Sequence, residues 1–135
     1  MRTPEMEARH HASAVVAQLV LIICRGMLRG YSGRGKNIAA VFPDLLTVMA
    51  IRVNDDRRMR PTTPTKIAKA TGLPRETVRR ALLHLCKHGV IVKIGASGYI
   101  GNDAYMQARK DADYYRHIVN AIIAAARELS KLKKK

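Results

Sequence analysis

Aromatic and cysteine residues are scarce in this chain of 135 residues. Five Tyr and one Phe occur, and Trp is absent. Proteins that bind single-stranded DNA or RNA loops stack the exposed bases on aromatic side chains, so this composition argues against a binder of that class. Only two cysteines are present, Cys24 and Cys86, and they lie far apart in the sequence. Because free cysteines are usually buried, we expect two reduced thiols rather than a disulfide or a redox switch.

Acidic residues are also few. The chain has 10 Asp and Glu against 25 Lys and Arg, a formal net charge of +15. The excess is uneven, because residues 57–93 contain ten basic residues and one acid, Glu76. A basic surface gains affinity for a polyanion through the release of counterions. With few aromatic residues available for stacking, duplex DNA is the polyanion that the composition favours.

The chain lacks an apolar run long enough to span a bilayer, which takes about 20 residues. Residues 14–24 are apolar at ten of eleven positions, but acids precede this run, and Arg25 and Arg29 follow it. Nothing at the N-terminus resembles a secretion signal. We therefore expect a buried helix here, no membrane partner and a cytoplasmic protein, which would meet the chromosome.

The most informative stretch is residues 63–90, which predicts two short helices joined by a tight turn. Thr63 is a suitable cap for the first helix, and Pro64 needs no backbone donor at its first position. Gly72 ends this helix because glycine adopts a positive φ without steric cost. Pro74 then opens a second helix over residues 74–88, which we call the recognition helix.

The recognition helix has two different faces. Val78, Ala81, Leu82 and Leu85 recur at helical spacing and predict a buried stripe. The other face is strongly basic. Gly89 ends the helix, and residues 91–100, with the turn Gly95-Ala96-Ser97-Gly98, predict a β-hairpin.

The run IAKATGLPRETVRRALLHLCKHGVI resembles the winged helix-turn-helix of bacterial transcription regulators. The order of elements, with a long helix before and after the motif, is similar to that of the MarR-type dimeric regulators. The resemblance implies a mainly α fold: a three-helix core with a short β-hairpin wing, flanked by long N- and C-terminal dimerisation helices. It also implies a nucleoid-associated homodimer that binds specific sites on double-stranded DNA.

In such a protein the recognition helix lies in the major groove, and the wing contacts the backbone or the minor groove. The residues expected along the major groove are Arg75, Thr77, Arg79, Arg80 and His84. Those expected to hold phosphates or to reach the minor groove are Lys66, Lys69, Lys93, Ser97 and Tyr99.

The sequence divides into three parts on this interpretation. Residues 1–36 form a dimerisation helix, over residues 4–29, and a glycine-rich hinge. Residues 37–101 form the DNA-binding domain, which begins with a helix over residues 38–53. Residues 102–135 form a second long dimerisation helix, capped by Asn102 or Asp103 and ending in a lysine tail. The apolar residues expected at the dimer interface are Val15, Leu19, Ile22, Ile23, Ile118, Ile122 and Leu129. A two-fold dimer would set two recognition helices about one DNA turn apart.

No other pattern in the sequence favours a chemical site. Residues 30–36 fit the start of a phosphate-binding loop, but Asn37 stands where that loop has Ser or Thr, so a basic hinge is favoured. His84, His88 and His117 have no cysteine or carboxylate at ligand spacing, and Asp55 with Asp56 reads as a solvated linker pair. We therefore expect no metal, no cofactor and no enzymatic activity.

Two alternatives share the same fold. One is a plasmid or phage replication or partition initiator. The other is a winged-helix module that binds proteins or coats DNA without sequence preference. The sequence leaves open the operator, the choice between activation and repression, any small-molecule effector, and contact between the lysine tail and DNA.

Overall fold

The computed structural model describes residues 1–30, 37–108 and 113–133. In chain order the elements are α1 (Pro4–Gly30), α2 (Ile38–Asp56), α3 (Pro64–Thr71), α4 (Arg75–Lys87), β1 (Ile91–Ile94), β2 (Gly98–Gly101), α5 (Asp103–Ala108) and α6 (Asp113–Lys133). They group into two units. The terminal unit, Met1–Tyr31 with Ala112–Lys135, contains α1 and α6, and the winged unit, Ser32–Asp111, contains the rest.

The helix-turn-helix of the winged unit forms as the sequence predicts. The Thr63 hydroxyl accepts a hydrogen bond from the Lys66 amide at 3.4 Å and caps α3, which Pro64 opens. Gly72 ends α3 with φ of +78°, in the left-handed region where glycine is favoured. The recognition helix α4 follows Pro74 and is succeeded by Gly89, whose φ is +74°.

The core of the winged unit lies where α2, α3 and α4 meet. Ile51, Ile67, Val78 and Leu85 are fully buried, and Val41, Leu45, Ala81 and Leu82 lie beside them. The predicted buried stripe of α4 is thereby confirmed. The Asn37 side chain caps α2 by accepting from the Ala40 amide at 2.9 Å, and α2 ends at Asp56, three residues later than predicted.

The wing is an antiparallel hairpin in the predicted place, with Val92 opposite Ile100 and Lys93 opposite Tyr99. It is attached at one point to the connection between α2 and α3 and at a second point to α2 itself. Tyr99 and Thr62 exchange backbone hydrogen bonds of 2.8 and 3.2 Å. The Asp55 carboxylate accepts from the Gly101 amide at 2.8 Å, so the expectation that Asp55 only solvates a linker was wrong.

The terminal unit consists of α1 packed against α6. The expectation that α1 is buried was wrong for the single chain. Only 6% of its most apolar 18-residue window is buried, and Val16, Val20 and Leu21 are 48%, 50% and 57% exposed. The physical reason is that one neighbouring helix covers only one side of an apolar helix. By length and composition alone, Pro4–Arg29 is also long enough to cross a membrane.

The C-terminal part is described as two helices, α5 and α6, where the sequence predicted one. Asn102 caps α5 as predicted, since its side-chain oxygen accepts from the Ala104 amide at 3.0 Å. The predicted continuation through residues 109–112 lies outside the described residues. So do most of the predicted hinge, residues 31–36, and the end of the lysine tail, residues 134–135.

Candidate nucleic-acid interface

The outer face of α4 is basic and exposed, directly opposite its buried stripe. Arg75, Arg79, Arg80 and Lys87 are all exposed. Leu83 stands among them with 61% of its surface exposed. Because the core contacts of Val78, Ala81, Leu82 and Leu85 orient the helix, its cations are held on the solvent side. Cations on a firmly packed helix suit an anionic partner outside the protein.

Glu76, the acid on this face, binds two of the arginines. Its carboxylate accepts from Arg79 Nε at 2.9 Å and Arg79 Nη2 at 2.6 Å, and also from Arg80 Nε at 3.3 Å. The hydrogen bonds and charge of Arg79, with a smaller contribution from Arg80, lower the pKa of Glu76 from 4.5 to about 2. Glu76 therefore stays ionised, and able to accept from the arginines, throughout the neutral range.

His84 differs from its expected place on the open outer face. Its side chain is 39% exposed, and Nδ1 donates to Asp44 Oδ2 of α2 at 2.5 Å. His88 lies beside it, with the two Nε2 atoms 3.2 Å apart and the rings nearly perpendicular. The inference that His84 lacks a carboxylate partner was wrong, because Asp44 lies 40 residues away in sequence. A signal was present in the sequence, since Asp44 is the single charged residue in the apolar run of residues 38–46.

The other predicted DNA-binding residues all lie in the winged unit. Lys66 and Lys69 are exposed on α3, Lys93 is exposed on β1, and Ser97 is exposed in the hairpin turn. Thr77 and Tyr99 are half-buried, and the Tyr99 backbone is held by Thr62. The structure thus brings the ten predicted residues onto α3, α4 and the wing. Their contact with DNA stays a prediction.

Neither the cysteines nor the histidines form a recognisable metal site in the described part of the chain. Within it, no group of three or more His, Cys, Asp and Glu residues could hold a metal ion. Cys24 and Cys86 are free thiols. Burial raises the pKa of Cys86, and the nearby charge of Lys93 only partly opposes this, which suits an unreactive packing residue.

A groove of about 550 Å³ lies beside α3 in the winged unit. Met49, Val53 and Met59 contribute exposed apolar surface to it, and Arg57 and Lys66 also line it. The sequence patterns did not indicate this groove, because its lining comes from α2, the following connection and α3. It is a concave surface next to the first helix of the motif.

The predicted dimer residues all lie on α1 and α6. Val15, Leu19 and Ile22 line a groove of about 500 Å³ between these helices of the same chain. Ile23, Ile118 and Leu129 are half-buried, and Ile122 is 44% exposed. Of the predicted dimer residues only Ile122 is among the exposed large apolar side chains of the described terminal unit, which are Val16, Val20, Leu21, Ile122, Ile123 and Tyr115, together with Met1 and Met6 near the N-terminus.

One comparison with known proteins matches the helix-turn-helix. Residues 56–95 match the family model of the IclR helix-turn-helix domain. No curated protein matches the chain. Among solved structures, the chain is similar to BpsR of Bordetella bronchiseptica, in a structure on the regulation of its DNA binding by 6-hydroxynicotinic acid. The identity is 12% and the TM-score 0.48, with 98% of each chain covered.

The fold of the winged unit, with its cap, turn glycine, recognition helix and hairpin, is a winged helix-turn-helix. The matched segment contains α3, α4 and β1, the helix-turn-helix with the first strand of the wing. The match of residues 56–95 to this helix-turn-helix model supports a DNA-binding transcription regulator. The resemblance to MarR-type regulators is not confirmed, because IclR is a different family.

Proposed function

We propose that this protein is a cytoplasmic transcription regulator that binds specific sites on double-stranded DNA as a homodimer. In this proposal α4 enters the major groove, and the wing lies on the phosphate backbone or in the minor groove. The observation that carries it is the division of α4 into a buried apolar stripe and an exposed cationic face.

The cations of α4 suit base recognition as well as phosphate binding. An arginine can donate two parallel hydrogen bonds to O6 and N7 of guanine, which distinguishes that base in the major groove. Arg75 lies in the first turn of α4, and the first residues of a recognition helix are those that usually reach base edges. Arg79 and Arg80 follow within the next turn. We assign these three residues to base reading.

The cations outside α4 suit the phosphate backbone. Lys66 and Lys69 lie on α3, the helix that crosses the backbone in this class of motif, and Lys93 lies on the wing. Each lysine presents a point charge without the planar fork of arginine. They are therefore assigned to affinity and register rather than to sequence preference.

The dimer is proposed from the apolar surface of the terminal unit. Val20, Leu21 and Ile123 are 50%, 57% and 46% exposed, although they sit on helices that pack closely on their other sides. A second copy would cover these residues with an equally apolar surface, as two-fold dimers do. A lipid bilayer is the alternative environment that could bury the apolar surface of α1. Light scattering of detergent-free protein at tens of micromolar decides between them, because a soluble dimer supports the proposal and a lipid-dependent particle contradicts it.

DNA recognition is tested by selecting fragments of the source genome with the purified protein and sequencing them. Affinity for the best site should exceed that for random duplex by about 10³ or more at physiological salt. A ratio under about tenfold would contradict the proposal and favour a module that coats DNA or binds proteins. Selected sites beside promoters support a regulator, whereas sites in origin repeats favour a replication or partition initiator.

A further inference from the structure

Glu76 binds Arg79 and Arg80, two of the three arginines that are assigned to base reading. We propose that Glu76 is a specificity-determining residue of α4: it competes with phosphates for Arg79 and Arg80 and so weakens binding to DNA without the correct sequence. This inference rests on the proposed DNA-binding function. It assigns a role to Glu76, an acid on the basic face of α4.

The geometry shows a direct competition for donors. Arg79 uses its Nε and Nη2 groups on the two oxygens of Glu76, at 2.9 and 2.6 Å. That pair of donors forms one edge of the guanidinium, and an arginine uses such an edge to bind a phosphate or guanine in the bidentate manner. Arg80 Nε also points to Glu76 Oε2, at 3.3 Å. The same edge of Arg79 cannot serve both Glu76 and DNA.

The competition is readily reversible because the cluster is exposed. The side chains of Glu76, Arg79 and Arg80 are 56%, 57% and 75% exposed. Water can replace each partner, so exchange with a DNA group needs no rearrangement of the core. Exposed ion pairs of this kind are weak, and their effect on binding is correspondingly a change of a few fold.

The competition acts differently on correct and incorrect DNA. On incorrect DNA an arginine released from Glu76 gains a phosphate, while the carboxylate approaches a negatively charged backbone. At a G·C pair the arginine gains two guanine acceptors, and a carboxylate can accept from N4 of the paired cytosine. The acid therefore lowers affinity where its own charge finds no donor, which is a means of discriminating against wrong sites.

The experiment compares Glu76→Gln with Asp103→Asn, an exposed acid at the start of α5 in the same unit. Both variants remove one negative charge, but Asp103 lies outside α4. Affinities for a selected site and for random duplex are measured over a range of salt. We expect Glu76→Gln to raise affinity for random duplex by about two- to fivefold relative to Asp103→Asn, and to lower the specificity ratio. The dependence of log K on log salt should also become steeper, by up to about one unit.

A second comparison shows whether Glu76 acts through the arginines. In an Arg79→Ala/Arg80→Ala background, Glu76→Gln should raise affinity for random duplex by less than it does in the parent protein, because only the direct repulsion between the carboxylate and the DNA backbone is then removed. The proposal is overturned if Glu76→Gln matches Asp103→Asn in the parent protein, or if the effect of Glu76→Gln is undiminished without the arginines. A wild-type protein that prefers no duplex site would overturn the proposed function, whereas the random-duplex measurements would still decide the role of Glu76. Circular dichroism confirms that each variant retains the helical fold.

Discussion

At the scale of single residues, the outer face of α4 is an arrangement of paired charges rather than a row of independent cations. Glu76 is spaced three and four residues before Arg79 and Arg80, a separation that brings side chains together on a helix. The pairing could therefore be predicted from the sequence, although by composition Glu76 is only the single acid among the ten basic residues of 57–93. Its distances and its effect on the Glu76 carboxylate needed the structure.

Removal of an arginine of α4 and removal of a lysine elsewhere should affect DNA binding in different ways. Arg79→Ala or Arg80→Ala should lower affinity for the selected site by roughly ten- to a hundredfold and relax the preference at one base. Lys93→Ala or Lys66→Ala should weaken all duplexes alike and reduce the slope of log K against log salt by about 0.9. Competition binding with a library of single-base site variants measures both. Site preference that survives loss of Arg75, Arg79 and Arg80 together would show that α4 is not the reading helix.

The ionisation of Glu76 should follow its contacts. Its pKa is lowered to about 2, mainly by hydrogen bonds from Arg79, so the pair is intact above pH 4.5 and is lost as pH falls through about 2. NMR titration of the side-chain carboxyl carbon should give that value in the wild type. In Arg79→Ala the pKa should rise back towards 4.5, because the largest cause is removed. An unchanged titration in that variant would contradict the pairing.

At the scale of elements, side chains far apart in sequence hold the recognition helix and the wing on α2. Asp44 of α2 binds His84 of α4, and Asp55 of α2 binds the backbone of Gly101 at the end of the wing. The order of elements and the buried stripe of α4 could be predicted because they depend on periodicity and local capping. These cross-links could not, since no spacing rule relates residues 40 and 46 positions apart.

Loss of His84 should reduce stability more than it changes base preference. His84→Ala removes the imidazole that donates to the buried Asp44 carboxylate, and we expect a cost of about 1–3 kcal/mol in the free energy of unfolding. His88→Ala is the control, because His88 is the exposed neighbouring histidine directly after α4, and its ring hydrogen-bonds the His84 ring rather than the Asp44 carboxylate. Urea denaturation measures the difference. Equal midpoints for the two variants would contradict a stabilising role of His84 and would leave DNA contact as its predicted role.

The wing should tolerate no side chain at Gly98. A Cβ atom at this position would lie 2.7 Å from the Pro61 Cβ and 2.9 Å from the Ile94 carbonyl oxygen. Gly98→Ala should therefore displace the hairpin from the connection before α3 and cost about 1–3 kcal/mol in the free energy of unfolding. Ser97→Ala, one residue earlier and exposed, provides the control. The idea fails if thermal denaturation gives both variants the wild-type midpoint.

At the scale of the whole molecule, the terminal unit leaves much of its apolar surface uncovered. The proposed dimer assigns this surface to a second copy, and the winged unit to DNA. The residues first expected at the interface partly line the groove between α1 and α6 of one chain. Substitutions at Val15, Leu19 or Ile22 would therefore disturb the fold of the unit as well as any dimer.

A sharper test of the dimer uses an exposed apolar residue. Leu21→Asp places a charge where the side chain is 57% exposed in one chain, so the chain should still fold. In a dimer the charge would be buried without a partner, and the variant should become monomeric in light scattering at tens of micromolar. Met106→Asp alters a similarly exposed residue of α5 and should leave the mass unchanged. A Leu21→Asp protein that keeps a dimeric mass would place the interface elsewhere.

Local signals in the sequence suffice to place the helix-turn-helix, the bounds of its helices and the two faces of α4. Thr63, Pro64 and Gly72 act on the backbone next to them, and Val78, Ala81, Leu82 and Leu85 act through a helical period. Local geometry is the same wherever the chain folds, so such signals can be interpreted without knowledge of the packing.

The tertiary structure alone decided which distant residues meet and which apolar residues remain uncovered. Asp44 binds His84, and Asp55 binds the backbone of the wing. Gly98 lies close to Pro61. The apolar sequence of α1 suggested burial, yet α6 covers only one side of it. An apolar sequence indicates that a surface is more stable when it is buried. The arrangement of the neighbouring elements determines how much of that surface a single chain buries.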